Sequence, residues 1–234
     1  MCDSGGEDPK MQEMLLLPPN DSYRGMLAVL EEAFEGRYKR RDVNLTGILL
    51  ARPASEFAKK EILPHIDYWH HRSDNYTDFF CPGYRSAHDA TPSDGPPVVT
   101  VNGLNWYFSS NSFARFLTQL EHHTSWRYGG GCELLVSNAR YDSIQQRASL
   151  DLSSAIAIDL ELAYEDKAFR DVSGLCEAIF QFAKNLNESS DDPCWEFSDH
   201  LGMRIIIRFL KRVSAALSSQ MAQAGGQEGF SFRR

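Results

Sequence analysis

The stretch Leu45–Ala51, with the sequence LTGILLA, decides the fold class, because a short continuous apolar run is typical of a strand covered on both faces. Pro53 ends this run, and Ser55 can cap a helix that continues to about residue 71. Pro64 within that helix removes one backbone donor, so we expect the helix to be kinked or divided there. A second strand is predicted over Tyr76–Cys81 (YTDFFC), which makes the segment a strand–helix–strand unit with a right-handed connection.

Further helices and strands are predicted on both sides of this unit. An amphipathic helix is predicted from Ser22 to about Arg41, and its basic end is expected to lie in solvent. The segment Tyr84–Pro97 has no periodicity and is predicted to be a surface loop. A hairpin of Val98–Val101 and Asn105–Phe108 around Asn102–Gly103 is predicted next, followed by a helix capped by Asn111 or Ser112. Two strands are then predicted at Glu133–Val136 and Ala155–Leu160, with a polar connection between them. The last predicted elements are a helix over Val172–Leu186 and a helix from about Asp199 to Gln223.

This element order predicts an α/β domain in which a mixed sheet is flanked by helices. Leu45–Ala51 and Ala155–Leu160 are expected to be central strands, because both are short apolar runs. The order is loosely similar to a thioredoxin-like order, but the likeness is topological only. The loop after the first strand, Arg52–Ser55 (RPAS), contains no cysteine, so no redox chemistry is predicted. We expect one domain over residues 22–223, with flexible tails at 1–21 and 224–234.

Composition narrows the class of protein. The chain has 234 residues, of which 42% are hydrophobic, and this fraction is sufficient for a folded core. The 24 Lys and Arg against 32 Asp and Glu give a net charge of −8, so a general affinity for nucleic acid or an anionic membrane is not expected. A local basic patch still leaves nucleic acid open as a partner. No apolar run approaches the ~20 residues of a membrane-spanning helix and no signal peptide is recognisable, so we expect a cytoplasmic protein without a membrane partner.

The five cysteines are widely spaced and odd in number, which favours a reducing compartment and predicts no structural disulfide. Cys81 ends the second predicted strand, where α/β proteins place their sites, and His88 follows it closely. One interpretation is therefore a Cys–His nucleophile pair. The other is that Cys81 is a small buried apolar residue.

Asp67 and His71 are one helical turn apart and share a face of the predicted helix. A carboxylate that orients an imidazole is the core of general acid–base machinery, so this pair is a candidate catalytic site. The alternative interpretation is a surface pair at a helix end, where histidine also favours the helix dipole.

Asp159 and Glu161 follow an apolar strand, and their spacing of two places both on one face if the strand continues through them. Two such carboxylates could hold Mg²⁺ for cleavage of a phosphate ester, although no third ligand is identifiable. Acids at the start of a helix are also expected from the helix dipole alone. The nearby Gly129–Gly131 lead into a strand and not into a helix, so they predict a flexible connection and not a phosphate loop.

The last predicted helix has an apolar stripe and a basic face. The basic residues recur at helical spacing with no acid between positions 203 and 212, and they are Arg204, Arg208, Lys211 and Arg212. This face predicts a binding surface for a protein partner with an acidic surface. The alternative is that it pairs with acids of the same chain, among them Asp191, Asp192 and Glu196.

Two functions follow from these patterns. The first is a non-catalytic interaction or regulatory subunit of an intracellular protein complex, with no cofactor. The alternative is a metal-dependent hydrolase that acts on a phosphate ester, with Mg²⁺ at Asp159 and Glu161 or acid–base chemistry at Asp67 and His71. A pocket that contains these groups would favour the enzyme, and an exposed apolar surface without convergent polar groups would favour the interaction protein.

Overall fold

Strand β1 (Val43–Leu50) lies at the centre of the computed structural model, which describes residues 22–38, 41–73, 76–91, 94–187 and 189–200. Its side chains alternate between two hydrophobic clusters, with Leu45 and Leu49 on one side of the sheet and Ile48 and Leu50 on the other. All four are buried. The predicted coverage of this strand on both faces is therefore confirmed.

The sheet around β1 is mixed. Within the described residues, the helices are α1 (Tyr23–Glu35), α2 (Ile66–Ser73), α3 (Ser110–His122), α4 (Leu160–Glu165), α5 (Val172–Lys184) and α6 (Pro193–His200), and the other strands are β2 (Asp78–Phe80), β3 (Tyr84–Ser86), β4 (Val99–Val101), β5 (Leu104–Phe108), β6 (Glu133–Asp142) and β7 (Arg147–Asp159). β2 is parallel to β1, β6 is antiparallel to β1, and β7 is antiparallel to β6, which gives the order β2-β1-β6-β7. β3, β5 and β4 form a second, antiparallel sheet. This is the predicted α/β class with a mixed sheet and helices on both sides.

The connection from β1 to β2 is the predicted helical crossover, and it is divided at Pro64. The Ser55 hydroxyl accepts from the Ala58 amide at 3.3 Å, and a π-helical turn over Ala58–Ile62 follows. A 3₁₀ turn over Leu63–His65 contains Pro64 and leads into α2. Because Pro64 has no backbone N–H to donate, the α-helical hydrogen-bond pattern is interrupted there, as expected.

The second sheet corrects the prediction of a surface loop over Tyr84–Pro97. The first three residues of this segment form β3, which pairs with β5 from Tyr84↔Phe108 to Ser86↔Trp106. The β4–β5 hairpin was predicted correctly. Asn102 and Gly103 both have positive φ angles, 51° and 75°, as a two-residue hairpin turn of type I′ requires.

The β6–β7 hairpin is much longer than predicted, because the polar connection is itself strand. The two strands pair from Glu133↔Asp159 to Asp142↔Arg147, with a register shift between Val136 and Asn138. The central position expected for Ala155–Leu160 is wrong: β7 is the outer strand of the sheet, and the last residue of the predicted strand begins α4.

Two predictions about helix ends need correction. The cap of α3 is Ser109, whose hydroxyl accepts from the Ser112 amide, and not Asn111 or Ser112. The basic end of α1 is not simply solvated. Arg37 forms an ion pair with the buried Asp78 on β2, and Arg41 donates to the Leu186 carbonyl at 3.0 Å.

Helix α6 is fixed to the sheet by the side chain of Asn138, which is fully buried. The Asn138 amide nitrogen donates to Asp192 at 2.7 Å and to Ser154 at 3.1 Å, and its oxygen accepts from the Cys194 amide at 2.8 Å. The predicted tails at 1–21 and 224–234 and all of the predicted last helix beyond residue 200 lie outside the described residues. The single domain over 22–223 stays a prediction.

Candidate functional site

A group of polar and titratable side chains meets where β1 ends, β6 begins and β7 ends. This edge of a sheet is where α/β proteins commonly bind ligands. The side chains come from three stretches of the chain, 52–55, 128–133 and 159–161, and they are Arg52, Ser55, Tyr128, Cys132, Glu133, Asp159 and Glu161. We call this group the β1-end cluster.

Glu161 links the three stretches. Its Oε1 accepts from the Cys132 amide at 3.2 Å and from the Ser55 hydroxyl at 3.4 Å. The Cys132 thiol in turn lies 3.7 Å from the Ser55 hydroxyl. Burial raises the pKa of Cys132 to about 12, so this sulfur is a protonated thiol at neutral pH and a poor nucleophile.

Glu133 is the most perturbed acid of the cluster. It is only 6% exposed, and its Oε1 accepts from the Gly129 amide at 2.6 Å. Burial raises its pKa to about 7, and the negative charges of Asp159 and Glu121 add to this rise, while the bonds from Gly129 and Trp126 oppose it. Asp159 is the residue directly opposite Glu133 on the neighbouring strand.

Arg52 supplies the positive charge of the cluster. Its guanidinium carbon lies 5.2 Å from the Phe113 ring centroid and 5.9 Å from that of Tyr128. The two rings contact each other at 5.6 Å, nearly perpendicular. Arg52 is therefore held at the surface by cation–π contacts.

Asp159 and Glu161 do not share a strand face, which corrects the geometry on which the magnesium prediction depended. The strand ends at Asp159, whose carboxylate caps α4 by accepting from the Leu162 amide at 2.9 Å, and Glu161 lies in the first turn of that helix. Among the described residues, no group of three or more His, Cys, Asp or Glu side chains is arranged to hold a metal ion.

Asp67 and His71 do share a face of α2, with His71 Nε2 3.9 Å from Asp67 Oδ1. Both side chains are more than half exposed. The same Asp67 oxygen accepts from the Asn102 amide at 2.7 Å, so this carboxylate fastens the β4–β5 turn to α2. The pair lies on an open surface and is separate from the β1-end cluster in sequence and in its contacts.

Cys81 is buried, and burial raises its pKa to about 12, which disfavours the thiolate that a nucleophile requires. The interpretation as a small buried apolar residue fits this environment better than the Cys–His pair. The described cysteines, which are Cys81, Cys132, Cys176 and Cys194, are all buried free thiols.

The predicted basic surface, Arg204, Arg208, Lys211 and Arg212, lies outside the described residues. The helix before it is described: α6 buries Cys194 and Phe197 completely while Trp195 remains 55% exposed. Asp192 and Glu196 accept hydrogen bonds close by, from the Trp195 amide at 3.0 Å and from the Ser190 hydroxyl at 2.8 Å.

The sequence did not predict that Arg52, Ser55, Tyr128, Cys132 and Glu133 meet in this cluster. An acid at the start of an apolar strand, as in Glu133-Leu-Leu-Val, was the one available signal, but strand ends are usually solvated. The burial of Glu133 depends on the loop before it and on β7, which the local pattern does not show.

Comparison with known proteins identifies no relative: no family model, no curated protein and no solved structure matches this chain. Among the described residues, no helix has both the length and the apolar character needed to cross a membrane.

Proposed function

We propose that this chain is a non-catalytic interaction or regulatory subunit of an intracellular protein complex, and that it binds an acidic protein partner through α6 and the basic segment that follows. The observation that carries this proposal is the exposure of Trp195. A tryptophan that is 55% exposed between two fully buried neighbours, Cys194 and Phe197, presents a large rigid apolar surface on a firmly held helix. Tryptophan and arginine are the residues most enriched where binding energy concentrates.

The charges near α6 support an acidic partner. The four basic residues 204, 208, 211 and 212 begin only four positions after His200, where the described part of α6 ends. Two acids of the same chain that could compete for these residues already accept hydrogen bonds: Asp192 from Asn138 on β6 and from the Trp195 amide, and Glu196 from the Ser190 hydroxyl. An acidic surface on a partner would complement the charge of these basic residues.

The candidate catalytic groups give less support to the alternative, a Mg²⁺-dependent hydrolase of phosphate esters. The carboxylates of Asp159 and Glu161 already accept backbone amide bonds, from Leu162 and Cys132 respectively. A metal would have to replace these bonds or share the same oxygens. Mg²⁺-dependent phosphatase activity of the purified chain, lost on Asp159→Asn, would favour the hydrolase instead.

Variants of the exposed and basic residues test the proposed function. The tagged full-length chain and two variants, Trp195→Ser and the double reversal Arg204→Glu with Arg208→Glu, are purified from the cells in which the chain naturally occurs. We expect the protein that copurifies with the wild type to be reduced about tenfold or more with each variant, which corresponds to ~1.4 kcal/mol or more of binding energy. Quantitative mass spectrometry of the copurified proteins measures this change.

A matched control reverses two exposed arginines elsewhere, Arg147→Glu with Arg170→Glu, and so makes the same change in net charge. The control should retain the partner. The control should also keep the melting temperature of the wild type, because exposed charge pairs contribute only ~0–1 kcal/mol. Retention of every partner by the Trp195 and Arg204–Arg208 variants would contradict the proposal.

A further inference from the structure

The exposed face of α6 combines one aromatic side chain with two acids. Trp195, Glu196 and Asp199 are all exposed, and their spacing places them within about 100° of one another around the helix. Asp199 lies between the other two in this projection. An indole that enters a partner through this face therefore brings two carboxylates to the edge of the same contact.

The packed side of α6 holds this arrangement in place. Cys194 and Phe197 are fully buried, and the Cys194 thiol donates to the Val136 carbonyl at 3.3 Å. The Trp195 amide donates to Asp192 at 3.0 Å. Because both the buried side and the first turn of the helix are fixed, Trp195 starts from a defined position, which lowers the entropy cost of binding a partner.

The charge of this part of the chain changes sign at about residue 200. Residues 188–199 contain five acids and no Lys or Arg, whereas residues 204–212 contain four basic residues and no acid. Arg140 contacts the turn before α6 through the Asp191 carbonyl at 3.0 Å, but its own charge is paired with Asp151 at 3.2 Å. Since Arg140 is already paired, the exposed face of α6 remains acidic.

We propose that the partner receives Trp195 in an apolar pocket whose rim carries Lys or Arg side chains, next to the acidic surface that meets residues 204–212. This inference rests on the proposed function and specifies the chemistry of the partner. Basic groups at the rim complement Glu196 and Asp199, and acidic groups there would repel them. Because the two charge patterns follow each other along the chain, they also fix the direction in which α6 lies on the partner.

The test measures how the charge of the α6 face affects affinity for the protein that copurifies with the wild-type full-length chain. That protein, once isolated, is titrated calorimetrically with the wild type, with Glu196→Gln plus Asp199→Asn, and with Glu196→Lys plus Asp199→Lys. We expect the dissociation constant to rise about threefold or more for the neutral pair and about thirtyfold or more for the reversed pair. Raised salt should reduce both differences, because it screens exposed charges.

A matched control reverses two exposed acids elsewhere, Glu32→Lys plus Glu165→Lys, and so makes the same change in net charge. The control should bind as the wild type does. An overall attraction to an acidic partner would instead make both reversals bind more tightly. Asp199→Lys alone keeps the proposal testable if the double reversal does not fold, because the helix dipole favours a basic residue in the last described turn of α6.

The proposal is overturned if the reversed pair binds the partner as tightly as the wild type does, or more tightly. Tighter binding would mean that the acids of α6 hold the chain's own basic residues. Equal binding, together with loss of the partner from Trp195→Ser, would mean a pocket without a basic rim and would leave the proposed function standing. Retention of the partner by Trp195→Ser and by the arginine reversal, or recovery of no protein other than the chain itself, would contradict both proposals.

Discussion

Replacing Arg37 with Met is expected to lower the free energy of unfolding by about 3–5 kcal/mol at pH 8, because it leaves the carboxylate of Asp78 buried without its counter-charge. Asp78 has a side chain only 1% exposed, and Arg37 Nη2 contacts its Oδ1 at 2.5 Å. The Tyr38 hydroxyl donates to the other oxygen at 3.0 Å. Urea unfolding of the wild type and the variant at the same pH measures this loss.

The pH dependence separates a lost charge pair from lost packing. Burial raises the pKa of Asp78, and Arg37 opposes that rise, so removing Arg37 should raise the pKa further. The deficit of the variant should therefore be smaller at pH 5, where more of Asp78 is protonated, and larger at pH 8. Adding Asp78→Asn removes the buried charge and should recover at least half of the loss. A deficit that is equal at both pH values and unchanged by Asp78→Asn would mean that only packing was lost.

Replacing Gly47 with Ala is expected to cost about 3 kcal/mol, although it adds only one methyl group. Gly47 lies opposite Phe79 in the β1–β2 pair, and an added Cβ would stand 2.3 Å from the Phe79 ring. That ring cannot move easily, since Phe79 is fully buried and packs edge-on against Phe180 at 5.6 Å. Thermal or urea unfolding of the variant checks the magnitude.

A double-mutant cycle identifies the clash as the cause. Phe79→Leu alone creates a small cavity and destabilises the protein. In the Gly47→Ala background the same change should cost much less, or stabilise, because the smaller side chain leaves room for the new methyl group. Additive losses from the two substitutions would show that the ring is not the obstacle.

The strand–helix–strand core could be predicted because its signals are local. LTGILLA is apolar on both faces, Pro64 interrupts the helix by its own chemistry, and Asn102–Gly103 adopts the positive φ angles that its turn requires. None of these features needs information from distant parts of the chain.

The polar part of the β6–β7 hairpin could not be predicted, because its polar residues are satisfied by distant partners. Asn138 is buried in the middle of β6 and pairs with Ser154 and with Asp192, 54 residues away. Arg140 and Asp151 form an ion pair across the two strands at 3.2 Å. A polar pattern of this kind is typical of a loop until its partners are known.

The candidate site residues also divide into those that local spacing could place and those that it could not. The shared face of Asp67 and His71 follows from helical spacing, and the structure places them on one face at 3.9 Å. The spacing of Asp159 and Glu161 gave a wrong prediction of a shared strand face, because the strand ends between them. The β1-end cluster joins residues 52, 133 and 161 through β1, β6 and α4, and such an assembly depends on tertiary structure alone.

The native mass of the chain tests the proposed function most directly. Size-exclusion chromatography with multi-angle light scattering, applied to the complex purified from its natural cells through a tag on the full-length chain, gives this mass. A subunit of a complex should elute above its own 26.5 kDa, together with a protein of different sequence, and the Arg204→Glu with Arg208→Glu variant should lose that protein. A mass of 26.5 kDa, or a whole multiple of it with no second protein, would contradict the proposed function.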